Sequence, residues 1–428
     1  MDILLIGSGG REHAMAWKIA QNSTVDKVFV APGNAGIELE EKLENLAIDP
    51  NNFVALANFA ESNKISLTIV GPEQPLVKGI VDFFTERNLR IFGPSKKAAQ
   101  LEGSKSFTKD FLSRHNIPSA EYRKFTSLEL AIAYLNTKDA PIVIKADGLA
   151  AGKGVVVAQT ISEAKQAATE MLEGHAFGEA GHRIVIEEFL NGEEASFIVV
   201  VDGKNILPMA TTQDHKARDN GDKGPNTGGM GAYSPAPVVT NEVYDRIMSE
   251  VIEPTVIGMA QEGNTYTGFL YAGLMIMSDG SPKVIEYNCR FGDPETQPIM
   301  MRLESDLLDL CNAVLDKKLS SHTIKWDTRA ALGIVIAAGG YPNKYKTGDV
   351  ITGLPLNSSN NNNKVFHAGT STVDGNIVTS GGRVLCAVGL GPNISCAREE
   401  AYKTAKEIHW EGSFFRDDIG YRAIERER

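Results

Sequence analysis

"IVIKADGLAAGKGVVVA", residues 142–158, reads as a strand, a glycine loop and a second strand, with Lys145 closing the first strand and Lys153 in the loop. Two cations on a pliable loop point to a triphosphate clamp. Gly148, Gly152 and Gly154 let backbone N–H groups approach phosphate oxygens that any larger side chain would hold off. A Walker loop is excluded: three residues rather than four separate Gly148 from the Gly152–Lys153 pair, Gly154 stands where Ser or Thr is required, and a strand follows instead of a helix. The phosphates are expected beneath a β-hairpin; an ordinary turn with surface lysines is the alternative.

Further along, "RIVIEEFLNGEEASFIVVV" sets Glu187, Glu188, Glu193 and Glu194 around the apolar pair Phe189–Leu190. An adenine can lie on that pair while Glu187 and the backbone take its polar edge, and Glu194 suits the ribose hydroxyls. Solvated acids at strand ends are the plainer reading. "YAGLMIMSDGSPKVIEYNCRFGDPETQ", residues 271–297, reads as a hairpin through Ser278 to Pro282, and period-two alternation puts Glu286 and Asn288 on one strand face. Magnesium takes few protein oxygens alongside phosphates and water, so this pair beside a nucleotide forms a candidate metal site. Arg290 continues the same face, where a guanidinium can offset charge on a transferring phosphoryl group.

Between these stretches, "TTQDHKARDNGDKGPNTGGMGAYSP" packs Asp214, His215, Lys216 and Arg218 ahead of five glycines from 221 to 231. That glycine density reads as a mobile loop and a candidate lid over residues 219–231. His215 is read as a structural or solvated histidine ahead of a base. Residues 240–263 carry a helical apolar stripe interrupted by Pro254, where a kink is expected.

At the start of the chain, "DILLIGSGGREHA", residues 2–14, is a strand-to-helix turn whose backbone N–H groups favour an anion. It fails the dinucleotide fingerprint because Glu12 occupies the third glycine position, and the second strand continues into Ala31, Pro32, Gly33 and Asn34 instead of ending in an acid. One phosphate is expected there; glycines that merely pack helix on strand are the alternative. Glu73, just past the strand in "LTIVGPEQPL", is read as a sugar-hydroxyl contact or as an acid favoured by a helix N-terminus.

Length and composition set the frame. At 428 residues the chain is too long for one core, and its 42% hydrophobic and 23% charged residues are those of a globular protein. A net charge of −11 argues against a wide nucleic-acid surface. Cys289, Cys311, Cys386 and Cys396 show no metal-ligand or disulfide spacing, which points to reduced thiols in a cytoplasm. The N-terminal apolar run is too short for a signal core, and nothing approaches the roughly 20 apolar residues of a membrane span. Strand–helix alternation over residues 1–101 predicts a parallel, Rossmann-like α/β domain; residues 102–328 read as a mixed α+β domain, and 329–428 as a small C-terminal α+β unit.

Taken in order, "GSGGREHA", "GPEQPL", "KADGLAAGKGV", Gln213 to Arg218, "GPNTGGMGAYSP" and "EYNCRFGDPETQ" resemble, over the whole chain, the ATP-grasp ligases and within them the glycinamide ribonucleotide synthetases. The resemblance implies a pre-ATP-grasp N-terminal domain and a central ATP-grasp domain with a lid subdomain over about 120–190. It implies ligation of glycine to 5-phosphoribosylamine with ATP, through a glycyl phosphate, in purine biosynthesis. A formate- or bicarbonate-using ligase of the same fold is the nearest alternative. Magnesium or manganese would be the metal, and the enzyme would be a cytoplasmic monomer with small-molecule partners, neither nucleic acid nor membrane among them.

Carried over by position, Lys105, Lys145 and residues Gly152, Lys153 and Gly154 fall to the ATP phosphates, Glu187, Glu188, Phe189 and Leu190 to adenine, and Glu194 to ribose. Glu286 and Asn288 fall to the metal. Asp214, Lys216 and Arg290 are implied in catalysis and substrate binding. Gly9, Gly10, Arg11, Asn34, Gly36, Glu73, Gly292 and Asp293 complete the implied substrate pocket, with the 5-phosphate on the first turn. Many relatives add a metal carboxylate from the strand before Glu-x-Asn, but "YAGLMIM" offers none, which leaves the second magnesium's ligands open.

Overall fold

A computed structural model describes residues 1–149, 154–173, 182–355 and 362–427. Its first unit is a five-stranded parallel sheet in the order Leu43–Asn45, Lys27–Pro32, Asp2–Gly7, Leu67–Val70, Ile91–Phe92. The central strand is apolar throughout because both its faces are covered: Ile3 and Leu5 enter one core cluster, Leu4 and Ile6 the other. Strand order reverses beside Asp2–Gly7, and a crevice opens past the carboxyl ends of such strands.

Two antiparallel sheets follow. The smaller joins Tyr122–Phe125, Ile184–Glu188, Ile142–Ala146 and Val155–Ala158 in that order and has its own core under the helices Leu128–Leu135 and Ile161–Leu172. The larger joins Ile206–Pro208, Glu193–Asp202, Thr267–Ile276 and Pro282–Asn288. Residues 189–192 are the direct link from one sheet to the other. The parallel first sheet and the mixed α/β units after it are the fold class expected from the sequence.

The last unit is a five-stranded sheet ordered Gln213–Asp214, Gly231–Ser234, Ala330–Ala337, Arg383–Gly391, Asn363–His367, with the helix Ile394–Ala405 packed on it. Two of these strands come from the middle of the chain, so the C-terminal sheet reaches back to residue 213.

The kink expected at Pro254 takes another form. A five-residue π-helical segment, Met248–Ile252, joins Asn241–Ile247 to Glu253–Gln261 without a break, and Pro254, in the first turn of the latter, has no N–H to donate into the turn before it. The irregularity therefore precedes the proline.

Candidate active site

One cavity of about 660 Å³ runs from the crevice of the parallel sheet, across the Pro282–Asn288 strand, to the slot between the two antiparallel sheets. In the slot, Lys145 donates from its strand to Glu187 Oε2 at 3.0 Å and to the Ile285 carbonyl at 3.1 Å. Lys109, from the helix Lys105–Arg114, lies 2.9 Å from the same Glu187 oxygen. Burial pulls Lys109 down to about 8 against the opposing pull of Glu187. Glu187 is 4% exposed, and its Oε1 is buried with no hydrogen-bond partner among the described residues. Phe189 and Leu190 line the cavity just beyond. Glu188 also lines it, but its Oε1 accepts from the Glu121 N–H at 3.1 Å and from Lys283 at 3.2 Å.

Lys105 reaches the cavity from the start of its helix and donates to the Gly148 carbonyl at 2.9 Å; burial lowers its pKa. Gly154 opens the return strand, its carbonyl accepting from the Ala146 N–H at 2.8 Å. Gly152 and Lys153 lie outside the described residues.

Glu286 and Asn288 both line the cavity on the strand Pro282–Asn288. A bulge leaves Ile285 without a cross-strand partner, since Gly273 pairs with Glu286 and Leu274 with Val284. Burial pushes the Glu286 carboxyl up, but Lys216, Lys145, Lys105 and Arg290 together hold it below its ordinary value. Among the described residues no three His, Cys, Asp or Glu side chains come together as metal ligands. A carboxylate and an amide oxygen facing a polyphosphate-sized space suit a magnesium ion that draws its other ligands from phosphate and water.

Asp214 and Lys216 project into the cavity, and the intervening His215 faces the other way. Lys216 Nζ lies 2.9 Å from Glu194 Oε2 and 3.5 Å from Glu286 Oε1. Burial opposes its charge, but Glu194, Glu286 and Asp214 raise Lys216 well above its usual range, so it is a firm cation. Burial raises Asp214, and Glu295, Glu194 and Glu286 add to the shift against Lys216. His215 is 4% exposed; its Nε2 accepts from the Gly420 N–H at 3.0 Å and its Nδ1 lies 3.6 Å from Asp222, as a structural histidine should.

At the far end, Glu12 fills the space beneath Gly7 and Gly71: a Cβ added to either glycine would stand 2.3 or 2.1 Å from it. Its carboxylate takes the Gly9 N–H at 2.7 Å and Arg11 Nε at 2.7 Å, so the place a pyrophosphate would occupy is filled by protein. Arg11 also donates to the Phe291 carbonyl at 3.1 Å and lines the cavity with Gly9, Glu73, Gly292 and Asp293. Burial pushes Asp293 up, but Arg383 and Arg11 hold it below its ordinary value.

Three implied substrate residues are engaged elsewhere. Asn34 donates to the Ser8 and His367 carbonyls at 2.8 and 2.9 Å and accepts the Gly36 N–H at 2.9 Å, while a Cβ on Gly36 would meet His367 and His13 within 2.6 Å. Gly10 packs against Gln297, 2.5 Å from where its Cβ would be. These positions fasten the first unit to its neighbours.

The expected lid over residues 219–231 is a hairpin, Ala217–Asp219 with Lys223–Asn226, fastened to the C-terminal unit. Arg416 donates to the Ala217 carbonyl at 2.9 Å and to Asp222 at 2.9 Å, Arg422 to Asp222 at 2.7 Å, and Arg383 to the Gly228 carbonyl at 2.5 Å. Its glycines serve turns at positive φ, +69° at Gly221, +79° at Gly224 and +110° at Gly229. Glycine density marked backbone geometry here, not a free loop.

Lys109, Glu102, Glu295, Tyr271 and Arg383 line the same cavity and were missed in the sequence. Lys109 had a signal, since it lies four residues after Lys105 and so on the same helix face. Arg383 had none, because only the tertiary fold brings it to Asp293.

Family models match nearly the whole chain: phosphoribosylglycinamide synthetase N domain over residues 1–102, the ATP-grasp (A) domain over 103–296, and the C domain over 331–422. The chain is 66% identical over 428 residues to a phosphoribosylamine–glycine ligase of Vibrio vulnificus, covering 100% of both. It is similar to the crystal structure of phosphoribosylamine–glycine ligase from Thermotoga maritima, with 34% identity, a TM-score of 0.82, and 98% and 100% of the two chains covered. The biotin carboxylase domain of a Hydrogenobacter thermophilus 2-oxoglutarate carboxylase, solved with MgADP and bicarbonate, shares the fold at 14% identity and a TM-score of 0.73, over 96% of this chain and 91% of that one.

Proposed function

The chain belongs to the phosphoribosylglycinamide synthetase family, and from that premise we propose that its cavity joins glycine to 5-phosphoribosylamine at the expense of ATP, a step of purine biosynthesis. The observation that carries this reading is the continuity of the cavity from the buried Glu187 Oε1 to the Arg11 turn, with Glu286 and Asn288 between.

Adenine lies on Phe189 and Leu190, and its exocyclic amine donates to the waiting Glu187 Oε1. Lys109 and Lys145 hold that carboxylate in place through its other oxygen. The triphosphate passes Lys105, Lys145 and Gly154, and Glu194 meets the ribose. Glu286 and Asn288 would hold magnesium or manganese, which would offset charge on the phosphates.

A glycine carboxylate oxygen attacks the γ-phosphorus, ADP leaves, and glycyl phosphate forms. The uncharged amine of phosphoribosylamine then attacks the carbonyl carbon, phosphate departs with the bonding pair, and the nitrogen loses a proton to give the amide. ATP thus supplies the leaving group, so the protein needs no nucleophile of its own. Arg290 and Lys216 offset charge on the transferring phosphoryl group, Asp214 orients the glycine, and Arg11 with the Gly9 turn receives the 5-phosphate. Positioning the substrates and keeping water from the acyl phosphate remain the protein's work.

The test is ADP release from ATP and phosphoribosylamine with glycine, formate or bicarbonate added in turn. Glycine alone should stimulate it; stimulation by formate or bicarbonate without glycine overturns the reading.

A further inference from the structure

Arg290 stands where the two ends of the cavity meet, and Glu102 holds it there. The Glu102 side chain is 7% exposed, and its Oε1 accepts from Arg290 Nη2 at 2.8 Å. Its Oε2 accepts from the Cys289 N–H at 2.7 Å and from Cys289 Sγ at 3.0 Å. Glu102 is thus fixed by the backbone next to Arg290 as well as by Arg290 itself. The other acidic neighbour, Glu73, is more exposed at 30% and lies 3.3 Å from Arg290 Nε.

Glu102 also sits at a junction in the chain. Just after it, Ser104 Oγ and the Ser106 N–H hold Asp147 Oδ1 at 3.1 and 3.0 Å, at the top of the phosphate hairpin, and Lys105 enters the cavity between them. The segment 102–106 therefore ties the strand-end arginine to Asp147 and Gly148 just past the Ile142–Ala146 strand, a distance in sequence that neither motif spans alone.

We propose that Glu102 is a positioning residue for the ligation, holding the Arg290 guanidinium at the seam between the triphosphate and the amine acceptor in register with Lys105. This rests on the reading above, in which Arg290 faces the reacting groups. Without Glu102, Arg290 keeps only the Phe291 carbonyl, 3.1 Å from its Nη1, and the more exposed Glu73, and is freer to turn toward the crevice of the parallel sheet. Burial, with Glu73 adding to it, raises the Glu102 carboxyl above its ordinary value, and Arg290 opposes that shift.

The experiment is steady-state ADP release by the wild type, Glu102→Gln, Glu102→Asp, Arg290→Lys and the double variant Glu102→Gln/Arg290→Lys. Glu102→Gln keeps the shape and should lower kcat/KM for phosphoribosylamine by about ten- to a hundredfold, the size of one lost charged hydrogen bond, with the KM for ATP held within about twofold. Glu102→Asp should recover part of the loss. In the Arg290→Lys background Glu102→Gln should cost little more, because a residue acting through a partner loses its effect with that partner.

An undiminished Glu102→Gln effect in that background, a KM for ATP rising in parallel, or no loss at all overturns the proposal. Should Arg290→Lys be too slow to measure, the KM split and the aspartate recovery decide by themselves, and thermal melts identify any variant that has merely unfolded. A wild type without glycine-dependent turnover would sink the ligase reading instead, so the two failures are distinguishable.

Discussion

At the nucleotide end of the cavity two lysines grip Glu187 and leave one of its oxygens unmet, whereas at the acceptor end the guanidiniums each sit against a carboxylate, Arg11 with Glu12, Arg290 with Glu73 and Glu102, Arg383 with Asp293, although Arg290 Nε itself makes no hydrogen bond among the described residues. In the proposed reading the first end selects its ligand by a missing hydrogen bond, because a buried acceptor without a donor costs free energy until one arrives. The second end holds its cations in place before the substrate comes, their charges balanced by carboxylates, so a phosphate there is met by a preorganised field and not by loose cations. Preorganisation needs partners from several units, and the acceptor end draws on residues from 11 to 383.

Four measurements press on that contrast, beginning where the ends meet. Glu286→Gln removes the charged oxygen from the metal pair, and turnover should fall by roughly a hundredfold or more with the fold intact; full activity would take Glu286 out of the site. Arg11→Ala should raise the apparent KM for phosphoribosylamine by about ten- to a hundredfold, or 1–3 kcal/mol, and leave ATP almost untouched. An unchanged sugar-phosphate affinity would break the acceptor end.

Next in size, Glu187→Gln should narrow the preference for ATP over GTP by about tenfold, since a carboxamide can also donate to the guanine carbonyl; equal discrimination in both proteins would show that the unmet oxygen does not read the base. The smallest effect on turnover belongs to a charge cluster outside both ends. Burial pushes Glu40 up, but His13 and Lys364 outweigh it and bring its carboxyl down to about 2 from 4.5. A depressed carboxylate lends stability above its unfolded pKa, and that stability fades as pH falls toward the folded value. Acid melting of the wild type should therefore steepen between about pH 4.5 and 2, and Glu40→Gln should flatten that window while costing about 1–3 kcal/mol at neutral pH. Identical acid curves would dissolve the cluster's role.

That Lys145, Glu187, Phe189, Leu190, Glu286 and Asn288 share one cavity was legible in the sequence because the parts are local: strand, glycine loop, strand, then acids flanking Phe189–Leu190, and a period-two pair at Glu286 and Asn288. Only Lys109 escaped, although its spacing from Lys105 was readable. The acceptor end was legible only in its first turn. Asn34, Gly36 and Gly10 stand in the right motif, but the fold uses them to fasten the first unit to its neighbours, and no one-dimensional pattern distinguishes a glycine that admits a ligand from one that admits another helix. The loop 219–231 misled for the same reason: its glycines mark turn geometry, and the arginines that hold it lie almost two hundred residues away.

The C-terminal sheet takes its edge strand from Gln213–Asp214. A break in the chain near residue 329 would therefore part the paired strands Gln213–Asp214 and Gly231–Ser234 from the Ala330–Ala337 strand that continues their sheet, even though three family domains invite such a cut. Gene fission there, or fusion of the ATP-grasp portion alone to another protein, should yield halves that fail singly and regain turnover only when co-expressed, making this boundary a seam for fragment complementation and not for modular exchange.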